Sequence, residues 1–217
     1  MPHSFQPVVS CIMPTYNRRS FIPATIESFL SQSYARSELL ILDDGHDPIV
    51  DIVPRDPRIR YFYSSRRLTI GAKRNWGCDL ASGDLIAHWD DDDHYPRWRL
   101  QSHVAAMSTG ADFSGTSCLY YVDRAFGTAF LFDYQGGISW WLAGNSLVYK
   151  RQVWLRRPFA DIQVREDLRF MWESSDRVFV DIRDPRLCVA AIHADNATPK
   201  NTQALYWRRV SIDVTLE

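Results

Sequence analysis

The sequence predicts an α/β fold with a mostly parallel central sheet flanked by helices. Two observations carry this. Short apolar, β-branched runs alternate with stretches that place apolar residues at helical spacing, as βαβ units do. Two acidic clusters, Asp43-Asp44 and Asp90 to Asp93, each stand directly after such a run. They fall at carboxyl ends of strands, where open parallel sheets bind their ligands.

Taken in order, residues 8–13 form a buried strand ended by Pro14, and residues 22–32 a helix with Ile22, Ile26, Phe29 and Leu30 on one face. Residues 39–42 give a second strand, stopped by Asp43-Asp44-Gly45, and residues 60–63 a third. Residues 71–81 read as a helix with Ser82-Gly83 as its stop, followed by a strand over 85–89. The second half is less regular. It predicts a helix over 99–107, strand-rich chain over 111–122, a strand over 144–149 and a helix over 164–172. Short strands follow over 178–181 and 187–192. No repeat, low-complexity segment or linker interrupts residues 1–217, which read as a single domain.

Composition narrows the function. A formal net charge of -1 argues against a nucleic-acid partner, which needs a basic surface. Cys11, Cys78, Cys118 and Cys188 show no metal or disulfide spacing and suit reduced core thiols. The start, Met1-Pro2-His3-Ser4, has no secretory pattern, and no run reaches the ~18 apolar residues of a membrane span. A cytoplasmic protein is expected, and peripheral contact with a membrane surface is compatible with it.

Asp90 to Asp93 hold the chemical signal. Adjacent carboxylates repel and lose hydration when buried, so a cation must repay the arrangement. Oxygen ligands point to Mg²⁺ or Mn²⁺. With the strand period of two, Asp90 and Asp92 face one side and Asp91 the other. The run is equally compatible with carboxylates preceding a helix start. A calcium EF-hand is excluded, because Gln101 stands at the twelfth position where a bidentate Glu is needed.

Several segments together resemble the family 2 glycosyltransferases: Pro14-Thr15-Tyr16-Asn17-Arg18, Leu42-Asp43-Asp44-Gly45, Gly71-Ala72-Lys73-Arg74-Asn75, and Ser82-Gly83-Asp84 leading into Trp89-Asp90-Asp91-Asp92-Asp93. Gly144-Asn145-Ser146 and residues 166–172 extend the match. The resemblance implies a GT-A fold, with a Rossmann-like nucleotide-binding half over about residues 1–95 and an acceptor half over about 96–217. It implies an inverting, metal-dependent hexosyltransferase that uses Mn²⁺ or Mg²⁺ and a nucleotide-sugar donor, with UDP favoured. The acceptor would be a carbohydrate, lipid-linked or other hydroxyl.

It also implies roles. Thr15 and Tyr16 border the nucleobase, and Asp44 accepts a hydrogen bond from it, unless Asp44 only forms a turn with Gly45. His46 stands where the family usually has Ser. Lys73 and Arg74 approach the diphosphate at a helix start. Asp90 is shared between ribose and metal, Asp91 lies beside the nucleotide, and Asp92 and His193 ligate the metal; a register using Asp91 and Asp92 stays open. Trp140 and Trp141 are candidates to stack on an acceptor sugar. Asp167 is the catalytic base, on a helix whose apolar face is Leu168, Met171 and Trp172, with Glu166 as the alternative. A metal-dependent nucleotidyltransferase or phosphohydrolase is the rival enzyme class, though residues 14–18 lack the glycine-rich loop of a nucleotidyltransferase. A non-catalytic nucleotide-sugar-binding module is the rival outside catalysis.

Overall fold

A computed structural model describes residues 5–136, 141–174, 176–211 and 213. The first strand, β1 (Val9–Thr15), is flanked by β2 (Ser37–Asp43) and β4 (Leu85–His88), with β3 (Ile59–Tyr63) beyond β2; all four run parallel. The sheet continues from β4 through β8 (Val148–Lys150) and β5 (Phe113–Gly115) to β9 (Phe179–Asp181), in the order β3-β2-β1-β4-β8-β5-β9. Only β8 runs against its neighbours. A second sheet, ordered β10-β6-β7-β11, joins β10 (Val189–Ala191), β6 (Cys118–Asp123), β7 (Thr128–Asp133) and β11 (Trp207–Val210).

β1 runs through Pro14 to Thr15, two residues past its expected end. The register explains why a central strand tolerates proline. Ile12 turns its carbonyl to the N–H of Trp89, so Pro14, two residues on, faces the same side. There β4 has already ended at His88, and the missing N–H leaves no ladder bond unmade. β2 is buried throughout, as its continuous Leu-Leu-Ile-Leu run requires of a strand covered on both faces.

The helices match their expected places to within a turn: α1 (Ile22–Leu30), α2 (Ile70–Leu80) and α3 (Arg99–Met107). In α1, Pro23 stands in the first turn, where its fixed φ suits a helix and no N–H is missed. Thr69 caps α2 by accepting from the Ala72 N–H at 3.0 Å. The helix does not stop at a left-handed glycine. Ala81 is extended, and Ser82 and Gly83 turn instead onto a buried network, with Ser82 N–H on Glu38 Oε1 at 2.7 Å and Gly83 N–H on Ser10 Oγ at 2.9 Å. α2 lies close on β1 because Gly77 has no side chain: a Cβ there would come within 2.5 Å of Ile12 Cγ2.

Residues 144–146 form a short 3-10 turn before β8 where a longer strand was expected. β7, β11 and a helix α4 (Arg151–Arg156) had no expected counterpart. All four cysteines are buried and free, as read from their spacing. Among the described residues no helix is long and apolar enough to cross a membrane.

Two consequences for stability follow. Gly77→Ala should lower stability by about 1–3 kcal/mol through overpacking against Ile12, seen as a lower urea midpoint with the slope unchanged. His103 is buried with Nδ1 2.8 Å from Ser114 Oγ, and burial holds it well below its ordinary value of 6.5. The folded protein then refuses a proton that the unfolded chain accepts. Its contribution is complete above pH 6.5 and is lost as pH falls below it. Between pH 6.5 and 5.5, His103→Gln should remove up to ~1.4 kcal/mol per pH unit from the slope of unfolding free energy. Equal slopes in variant and wild type would refute a neutral buried imidazole.

Candidate functional site

The acidic residues lie past the end of β4, in a turn at residues 91–92, and not on the strand itself. The expectation that strand alternation puts Asp90 and Asp92 on one side is therefore overturned: strand geometry ends before either residue. Every carboxylate is partnered, and Asp91 and Asp92 share one guanidinium. Asp90 Oδ1 accepts from Arg74 Nη2 at 3.2 Å. Arg18 Nη1 donates to both Asp92 Oδ2 and Asp91 Oδ1, the latter at 3.1 Å. Asp92 Oδ2 also lies 2.9 Å from His193 Nε2. Asp93 accepts from Asn145 Nδ2 at 2.5 Å and from the Ala191 N–H at 3.1 Å.

Electrostatics follow from this crowding. Burial, with help from Asp92, raises Asp91 to about 7 against the pull of Arg18. Burial pushes Asp93 well above the carboxylate range, and Asp92 and Asp90 add to it. Asp93 thus serves as a buried anchor for the 3-10 turn and β10.

At the end of β2 the two acidic residues divide their work. Asp43 makes the turn, accepting from the N–H groups of Gly45 at 2.8 Å and Ile49 at 3.2 Å. Asp44, for which that turn was the alternative, points elsewhere. Its carboxylate is fully buried, taking the Lys73 ammonium at 2.7 Å and the Leu68 N–H at 2.7 Å. Lys73 also donates to the Thr15 carbonyl at 2.9 Å, tying α2 to the end of β1. Burial lowers the Lys73 pKa despite the Asp44 ion pair. Tyr16 lies beneath the Arg67 guanidinium, 3.1 Å from ring centre to Cζ, and its edge meets the His46 ring at 5.7 Å. Asn17, with φ of 52°, accepts from the His46 N–H at 2.8 Å, which keeps the two loops together.

On the opposite wall stands α5 (Glu166–Trp172). Its buried residues are Glu166, Phe170 and Met171, while Trp172 is 53% exposed. The expected face of Leu168, Met171 and Trp172 is corrected accordingly: one more residue of rotation brings the carboxyl-bearing first turn inward. Glu166 accepts from Arg74 Nε at 3.0 Å. Asp167 lies against Gly144, where a Cβ would stand 1.6 Å from its Oδ2, and it accepts from the Leu168 N–H at 2.7 Å. Burial raises both carboxyls, while Arg74 opposes the rise. The start of α5 is set by Arg165, whose φ of 67° is left-handed.

These pieces enclose one cavity of about 600 Å³. Thr15, Tyr16, Lys73, Arg74, Asp90, Asp91, Asp92 and Asp167 line it. Asp44 and His193 stand one layer behind, on Lys73 and Asp92. Trp141 lines the far side, packed on Phe132 and Tyr134; Trp140 lies outside the described residues. Arg74 Nη1 is buried and finds no partner among the described residues. The sequence reading gave no role to Arg18, Asp93 or Asn145, although all three stood in the segments that carry the resemblance.

The donor set suits a divalent cation. Carboxylate oxygens with one imidazole accept Mn²⁺ or Mg²⁺, and Asp92 and His193 are already adjacent. Among the described residues no three such side chains converge on one point. Arg18 balances the charge there.

Comparisons with known proteins bear on the fold and the family. The chain is 32% identical over 124 residues to the putative teichuronic acid biosynthesis glycosyltransferase TuaG of Bacillus subtilis, covering 54% of this chain and 49% of that one. It is 33% identical over 122 residues to the Escherichia coli UDP-Glc:alpha-D-GlcNAc-diphosphoundecaprenol beta-1,3-glucosyltransferase WfaP, covering 55% and 48%. The chain spans about half the length of these two relatives. Among solved structures, S. aureus TarS with UDP superposes with a TM-score of 0.69 at 16% identity, over 85% of this chain and 60% of that one. The mannosyltransferase PcManGT of Pyrobaculum calidifontis, with GDP-Man and Mn²⁺, gives 0.67 at 16%, over 89% and 59%. At such identity these share the GT-A fold alone. The model of glycosyl transferase family 2 matches residues 10–154, and the chain belongs to that family.

Proposed function

We propose that the protein transfers a sugar from a nucleoside-diphosphate sugar to an acceptor hydroxyl with inversion at the anomeric carbon. One observation carries the reading: a single cavity brings together the acidic turn, the Lys73 and Arg74 cations, and the buried carboxylate of Asp167. Tyr16 and Arg67 offer flat faces for a nucleobase, and Lys73, held by Asp44 and Thr15, presents a fixed charge beside it. The unpartnered Nη1 of Arg74 is suited to a diphosphate oxygen. UDP is the favoured donor nucleotide, supported by the UDP-Glc in the name of the E. coli relative and by the UDP-bound neighbour. That relative's diphosphoundecaprenol acceptor makes a lipid-linked sugar the acceptor to test first. The buried free thiols fit a reducing, cytoplasmic setting.

A divalent cation held by Asp92 and His193, with Asp90 nearby, would neutralise the departing diphosphate as a Lewis acid. The chain's own groups perform the remaining steps. Asp167 takes the proton of the acceptor hydroxyl as that oxygen bonds to the anomeric carbon. The bond from that carbon to the diphosphate oxygen breaks on the opposite face, and the electron pair leaves with the nucleotide. Arg74 meets the growing charge on the diphosphate while keeping Glu166 in place. Burial raises Asp167, so its base form requires a higher pH than an ordinary aspartate does.

Four measurements test this. Asp92→Asn should weaken UDP binding in calorimetry only when Mn²⁺ or Mg²⁺ is present; equal affinity with metal added refutes the ligand role. Asp167→Asn should leave UDP–metal affinity unchanged and cut turnover by ~10²-fold or more. Near-normal transfer by that variant removes Asp167 from the chemistry. Gly144→Ala forces the Asp167 carboxylate off its seat, so turnover should fall with UDP affinity retained. In the wild type, turnover should rise with pH along a limb that lies above the usual aspartate range.

A further inference from the structure

Among the described residues, Arg18 is the one guanidinium that touches two carboxylates of the acidic turn. Its Nη1 donates to Asp91 and Asp92, and its Nη2 to the Asp195 carbonyl. It therefore joins the turn to the segment that carries His193. The Phe21 ring stacks on His193 at 4.8 Å, and the Arg18 Cζ lies 6.0 Å from the same ring. The guanidinium and the His193 imidazole thus share one oxygen, Asp92 Oδ2. That oxygen cannot serve a divalent cation at full strength while a guanidinium holds it.

We propose that Arg18 is a built-in counter-cation that a divalent metal must displace, so that metal and nucleotide bind together more readily than either does alone. The inference rests on the metal reading above. With Arg18 seated, the carboxylates are already neutralised, and a free cation gains little by entering. Arg18 also lines the nucleotide cavity, so a diphosphate offers its guanidinium a new anionic partner. A bound diphosphate therefore lowers the cost of releasing Asp92, and the coupling is reciprocal. In this role Arg18 is a positioning residue: it sets when the acidic turn becomes available and takes no part in bond making.

The test is a Mn²⁺ titration followed by electron paramagnetic resonance, with and without UDP, on the wild type, Arg18→Met, Arg18→Lys and Asp92→Asn. Without UDP, Arg18→Met should bind Mn²⁺ roughly 10-fold more tightly than wild type, within the usual range of site-to-site coupling. The enhancement of Mn²⁺ binding by UDP should shrink in that variant by a similar factor. Arg18→Lys keeps a cation and should stay closer to wild type on both counts, which a merely structural role for Arg18 would not produce. Mn²⁺ binding that disappears in Asp92→Asn yet is equal or weaker in Arg18→Met overturns this inference and leaves the metal site standing. Absence of Mn²⁺ binding to every protein, with UDP still bound, overturns both.

Discussion

Four consecutive carboxylates at the end of one strand impose the constraint around which the cavity is built. None can be left desolvated and unpaired, and they cannot satisfy one another. Each finds its partner in a different part of the chain: Asp90 in Arg74 of α2, Asp91 in Arg18 before α1, Asp92 in His193 after β10, Asp93 in Asn145 before β8. The Asp91 carbonyl is held as well, by Thr25 Oγ1 of α1 at 2.7 Å. One turn thereby gathers elements spread from residue 18 to residue 193.

The topology makes this gathering possible. β1 sits between β2 and β4, so the chain leaves β1 toward one edge of the sheet and later returns to its other side. The crevice at that reversal lies beyond the carboxyl ends of β1 and β4. β8 then enters antiparallel and delivers the 144–146 turn to the same end. Asn145 and Gly144 arrive there together, one for Asp93 and the other beneath Asp167. His88 reinforces the arrangement from below, with its Nδ1 2.7 Å from the Gly144 carbonyl.

Charge is graded across the cavity. Lys73 and Arg74 are adjacent in sequence yet have separate tasks, because successive helical residues point about 100° apart. Lys73 turns to Asp44 and the end of β1, while Arg74 turns to Asp90 and Glu166. Burial opposes the Arg74 charge, but Asp90, Glu166 and Asp167 outweigh it and hold its pKa above the ordinary arginine value. A permanent cation thus stands between the acidic turn and the carboxylate of α5, and it keeps two negative groups in one crevice without a large repulsion.

Sequence by itself determined the parallel sheet and the two acidic strand ends, because apolar period and strand-end carboxylates are local signals. Residues 85–88 were legible as a strand, and Asp90 to Asp93 as an acidic cluster just past it, from a few neighbours. Tertiary structure alone decided where each carboxylate points. The strand ends at His88, so the period of two did not extend to the acidic run. It also decided that Asp43 makes the turn while Asp44 takes Lys73, a choice set by α2 packing on β1 through Gly77. Arg18, Asp93 and Asn145 stood in segments legible in the sequence, but nothing local marked which groups they would meet. Asn145 lies 52 residues from Asp93, and Arg18 lies 73 and 74 residues from Asp91 and Asp92; only the folded sheet brings such separations within hydrogen-bond reach.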